Sequence, residues 1–144
     1  VIELSTGKAS QVAAMLQEQA VVIGVDTIVA LDNRILGKPK DKEQAFDMLK
    51  SLSGRWHEVY SGITLATAQD GKIVTDYSCT KVKFSDLTDE EISEYLSKDE
   101  YLDKAGAYAL QGYAGVFVEE IRGCYYNVVG LPLNKLKKML QAFM

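Results

Sequence analysis

The chain has 144 residues, 47% of them hydrophobic and 25% charged, which suits one soluble globular domain spanning residues 1–144 that buries roughly two-thirds of its unfolded surface. A net charge of −4 excludes the diffuse basic field of a non-specific nucleic-acid binder, so an anionic ligand must be met by a few placed cations or a metal. Two cysteines without Cys-x-x-Cys spacing and a single histidine exclude a zinc site and a disulfide framework, and no apolar stretch has the length of a membrane span.

In chain order, Ala9, Val12, Ala13 and Leu16 follow helical spacing and predict a helix over residues 5–17, with Ser5 or Thr6 as N-cap. The β-branched run 20–31 reads as a strand buried on both faces, and Asp32-Asn33-Arg34 as a turn. Asp41 and Gln44 form a capping-box pattern before Ala45, Met48, Leu49 and Leu52, with Gly54 as the stop. The alternating runs 59–66 and 73–84 flank Gln69-Asp70-Gly71-Lys72 and predict a long hairpin. Thr88 and Glu91 open a helix that carries Ile92, Tyr95 and Leu96 and ends near Lys98. Five glycines between residues 103 and 131 punctuate what read as short strands. Pro132 starts a last helix whose stripe is Leu133, Leu136, Leu140 and Phe143. Cys79 and Cys124 are expected to be buried free thiols, and with no signal-type N-terminus the cytoplasm is the expected compartment. The element order predicts an α/β fold with a mixed sheet.

Asp26 is the anomaly in this pattern. It stands inside Val21-Val22-Ile23-Gly24-Val25-Asp26-Thr27-Ile28-Val29, where an unpaired carboxylate costs several kcal/mol. No helical pattern follows it, which disfavours a cap. Lys8, Lys38 in Gly37-Lys38-Pro39, and Lys104 in Lys104-Ala105-Gly106 are candidate counter-charges, so a metal-assisted phosphate site is the expectation. Gly37-Lys38 is not a Walker A loop, because Asp32 replaces its first glycine and Pro39 its Ser/Thr.

Taken in order, Lys8-Ala9, Gly24-Val25-Asp26-Thr27, Gly37-Lys38-Pro39, His57-Glu58-Val59-Tyr60-Ser61, Asp103-Lys104-Ala105-Gly106-Ala107-Tyr108, Leu110-Gln111-Gly112 and Asn127-Val128-Val129-Gly130-Leu131-Pro132 resemble the Maf family. These are nucleoside triphosphate pyrophosphatases, also named for septum formation. The resemblance implies an elongated α/β fold related to the inosine triphosphatases, with a cleft between two lobes. It also implies cleavage of an α–β phosphoanhydride with a divalent metal, Mg²⁺ or Mn²⁺. The family pattern opens with a strand and a Ser-x-Ser-Pro-Arg-Arg phosphate loop, and this chain is expected to begin after both.

By the same resemblance Asp26 matches the catalytic acid and metal ligand, and Lys8, Lys38 and Lys104 face phosphate. Thr27 and Gln111 mark the branch acting on dTTP and UTP, where a side-chain amide suits the O4 and N3–H edge of thymine or uracil. The expected partners are a nucleoside triphosphate and a second copy in a homodimer, not a nucleic-acid polymer or membrane. Two other readings remain open: a non-catalytic nucleotide-binding or cell-division regulator, and an inosine-triphosphatase-like purine enzyme.

Overall fold

The computed structural model describes residues 1–15, 20–68 and 70–143. The chain forms two compact units, one of Val1–Thr27, Tyr60–Cys79 and Tyr126–Met144, the other of Ile28–Val59 and Thr80–Tyr125. An α/β architecture is present, with a five-stranded sheet in the order β2-β1-β3-β4-β5 and helices packed on it. Its strands are β1 (Val21–Leu31), β2 (Arg34–Leu36), β3 (Trp56–Thr67), β4 (Ile73–Phe84) and β5 (Val118–Arg122). The helices are α1 (Ile2–Met15), α2 (Lys42–Leu52), α3 (Asp89–Leu96), α4 (Tyr125–Val129) and α5 (Leu133–Phe143).

In the first unit the sheet is covered from both sides, and the two-residue period of β3 divides its side chains between them. Ala66 packs with Ala9 and Ala13 of α1 and Val22 of β1. Ile63 and Leu65 pack with Leu136, Met139 and Phe143 of α5. Helix α1 starts at Ile2, not at Ser5 or Thr6. Ser5 cannot cap because it is fully buried, donating to the Ile2 carbonyl at 3.0 Å and lying 2.8 Å from Thr64 Oγ1. Val12 is exposed, while Leu16 and Gln17 lie outside the described residues.

One expectation for β1 is corrected. Val22 and Gly24 are buried, but Val21 and Ile23 are 39% and 45% exposed, so this part of the strand is not buried on both faces. Its β-branched composition reflects fit to a pleated surface and says little about how many faces are covered. The strand runs through Leu31, which puts Asp26 in its interior. After Leu31, Asp32 and Asn33 both take left-handed backbone (φ 52° and 63°), the geometry of a tight two-residue hairpin, and β2 returns antiparallel with Val29 opposite Leu36. The sequence reading had the turn but not β2.

Helix α2 forms as predicted: Asp41 accepts from the Gln44 N–H at 2.8 Å, Ala45, Leu49 and Leu52 are buried, and Gly54 follows the last turn at φ 68°. The Gln44 side chain accepts from the Lys40 N–H and not from that of Asp41. Helix α3 has the full reciprocal capping box between Thr88 and Glu91 and packs on α2. Strands β3 and β4 form the predicted hairpin, with Thr67 and Lys72 bonded across the turn; Gln69 lies outside the described residues.

The segment from 103 to 131 differs from its reading. It holds one strand, β5, together with 3₁₀ turns at Ala105–Ala107 and Tyr113–Phe117 and the short helix α4. Gly106 and Gly115 lie inside the two 3₁₀ turns, and Gly123 directly follows β5. In α5, which begins one position after Pro132, the buried stripe is Leu136, Met139 and Phe143, while Leu133 is exposed and Leu140 partly buried, because Ile63 and Leu65 of β3 set which face is covered. Cys79 is exposed and Cys124 half-buried, neither in a disulfide, which corrects the expectation of buried thiols.

Candidate active site

The Asp26 carboxylate has two unequal oxygens. Oδ1 receives the Lys8 ammonium at 3.2 Å, and the same ammonium donates to the Val25 carbonyl at 2.9 Å. Oδ2 is buried and has no hydrogen-bond partner among the described residues. The side chain as a whole is 14% exposed, so the cost of burying a carboxylate is met on one side only.

Close packing puts Lys8 there. At Gly24 a side-chain carbon would lie 2.8 Å from the Ala9 nitrogen and 2.9 Å from its Cβ; at Gly62 it would lie 2.5 Å from the Val1 carbonyl carbon. Only glycine lets α1 approach β1 and β3 so closely, and that approach carries Lys8 to Asp26.

Thr27 belongs to a second cluster in the same unit. Its Oγ1 is 2.7 Å from the fully buried Ser61 Oγ, and the Asn127 and Gly130 carbonyls lie 3.3 Å from Ser61 Oγ and 3.4 Å from Thr27 Oγ1. The Asn-Val-Val-Gly segment thus grips Thr27 through its main chain. Ser61 and Asn127 were quoted in the sequence motifs without a role. Nothing in their local spacing signals a contact across 34 and 66 residues.

Lys38, Lys104 and Gln111 lie in the second unit, and all three are exposed. The loops of the two lysines are joined, since the Gly106 N–H donates to the Gly37 carbonyl at 3.1 Å. Tyr108, just beyond, is anchored by a 2.6 Å hydrogen bond to His57 Nε2 inside a cluster with Phe84. Burial lowers the His57 pKa to about 4 and pushes the Tyr108 hydroxyl upward. Among the described residues no group of three or more His, Cys, Asp and Glu side chains could hold a metal, so an ion at Asp26 would take its remaining ligands elsewhere.

Residues 1–143 match the model of the Maf-like protein family. The chain belongs to the Maf family. Maf proteins similar to it include one from Clostridium botulinum (strain Hall), 57% identical over 142 residues that cover 97% of this chain and 73% of the relative. One from Clostridium novyi is 58% identical over 137 residues, 95% of this chain and 72% of the relative. Another, from Clostridium tetani, is 56% identical over 142 residues, 98% of this chain and 74% of the relative. Each of these Maf relatives is named a dTTP/UTP pyrophosphatase.

Proposed function

We propose that this Maf chain is a nucleoside triphosphate pyrophosphatase that hydrolyses the α–β phosphoanhydride of dTTP and UTP, and of related modified pyrimidine nucleotides, to the monophosphate and pyrophosphate. The reading is carried by one observation: a half-buried Asp26 carboxylate with one oxygen neutralised by Lys8 and the other, buried one without a partner among the described residues, in a chain 57% identical to a dTTP/UTP pyrophosphatase.

Phosphoanhydride hydrolysis needs an oriented water and compensation of crowded phosphate oxygens. Asp26 Oδ2 is the acceptor for that water. It also suits a divalent ion, Mg²⁺ or Mn²⁺, because Mg²⁺ is commonly held by one or two carboxylates with substrate phosphates and waters as the remaining ligands. Such an ion, when bound, neutralises phosphate charge. Lys8, Lys38 and Lys104 are the cations assigned to phosphate oxygens, and the flexible ammonium of Lys8 is near enough to Asp26 to serve both. Gln111 offers one donor and one acceptor to the base, and Thr27, held by Ser61, is part of the same selectivity. The reading carries with it the cytoplasm, where such nucleotides are made, and the homodimer implied by family resemblance. No described helix is long and apolar enough to cross a membrane.

The test is pyrophosphate release from dTTP, UTP, GTP and ITP with Mg²⁺ by wild type and Asp26→Asn. Wild type is expected to favour the pyrimidines and the variant to lose at least ~100-fold in kcat with an unchanged circular-dichroism spectrum. Equal turnover by both proteins refutes the role of Asp26, and a preference for ITP refutes the substrate class.

A further inference from the structure

Gln111 occupies an exposed turn, a position where a side chain is ordinarily mobile. Here the main chain just after it is fixed. Two residues on, the Tyr113 N–H donates to Glu100 Oε2 at 3.0 Å. The same carboxylate is held in turn, the Tyr95 hydroxyl donating to Oε1 at 3.1 Å. Between Gln111 and Tyr113, Gly112 lacks a side chain where a Cβ would run into the Glu100 carboxylate. The Lys98 ammonium sits 4.7 Å above the Tyr113 ring.

We propose that Glu100 and Tyr95 form a clamp that presents Gln111 to the nucleobase, which makes Glu100 a positioning residue for substrate selection. This rests on the role given to Gln111 above. The clamp needs a carboxylate, because its two anchors are both donors and an amide would turn an N–H₂ toward one of them. Its base is rigid: Tyr95 is buried, with its ring 5.5 Å from that of Phe117. A turn already ordered loses little freedom when the base arrives, so the clamp acts on substrate affinity and not on the chemical step.

The experiment is a double-mutant cycle of Glu100→Ala and Gln111→Ala, measuring kcat and KM for dTTP and GTP, with amide hydrogen exchange at Tyr113. Each single variant is expected to raise KM for dTTP roughly tenfold with kcat within about twofold, and to reduce discrimination against GTP. The double variant should be no worse than Gln111→Ala, because Glu100 acts through Gln111. Additive losses, or a fall in kcat at unchanged KM, would overturn the proposal. If wild type releases no pyrophosphate from dTTP, it is the proposed function that fails, and exchange then decides the clamp: no faster exchange at Tyr113 in Glu100→Ala overturns it. Should that variant not fold, Tyr95→Phe keeps the ring and removes only the hydroxyl that holds Glu100, with the same expectations for KM and for exchange at Tyr113.

Discussion

Acidification should destabilise this protein through His57, the single histidine of the sequence. It is 2% exposed, its ring packed edge-on against Phe84 and Tyr108, with Nδ1 lacking a hydrogen-bond partner among the described residues. Burial lowers its pKa from 6.5 to about 4. As pH falls, the unfolded chain therefore takes up this proton first, and the folded state loses ground. The contribution is whole above pH 6.5, shrinks as pH drops toward 4, and levels off below. With the two pKa values given, the loss is about 2 kcal/mol at pH 5 and about 3 kcal/mol at pH 4. Against a total stability of roughly 5–15 kcal/mol for a domain this is readily measured. Urea unfolding from pH 8 to pH 4.5 on wild type and His57→Gln isolates the histidine, since the carboxylates contribute equally to both. The ring proton, alone of its kind, can be followed by NMR in the folded state. A folded-state midpoint near 6.5, or the same pH slope in both proteins, would refute the reasoning.

Two further substitutions test how the site is assembled. Gly24→Ala should cost roughly 1–3 kcal/mol by overpacking against Ala9 and should reduce pyrophosphate release by displacing Lys8. Gly37→Ala, with no atom within 4 Å of the new carbon, should change stability by less than about 0.5 kcal/mol; both are read by urea unfolding and steady-state turnover. Thr88→Ala removes the hydroxyl that accepts from the Glu91 N–H at 3.1 Å and should cost about 1 kcal/mol in the same unfolding assay.

Where local chemistry determines an element, the sequence was enough to read it. Asp41 and Thr88 announce α2 and α3 because a cap satisfies backbone donors within three residues. Asp26 was legible for a different reason: a carboxylate among β-branched residues is an electrostatic conflict wherever it lies. What could not be read depends on contacts distant in sequence. Ser5 looks like a cap until Thr64 and the sheet bury it. Leu133 fits the helical spacing as well as Met139 does, and Met139 is the buried one because the phase of a short helix is set by what it packs on, here Ile63 and Leu65. The Tyr95–Glu100 pair carries no motif, since its meaning comes from the main chain at Tyr113.

The seat of α1 has a consequence for the order in which the molecule assembles. Val1 and Ile2 lie against Gly62, and Ser5 meets Thr64 across 59 residues of chain. The contact of α1 with β3 therefore closes a loop of about sixty residues and carries the entropy of a long-range closure. The contact of α1 with β1 through Gly24 spans far less chain, and it is this one that sets Lys8 beside Asp26. Charge compensation at Asp26 thus depends on a short-range contact that the longer-range docking on β3 then holds in place.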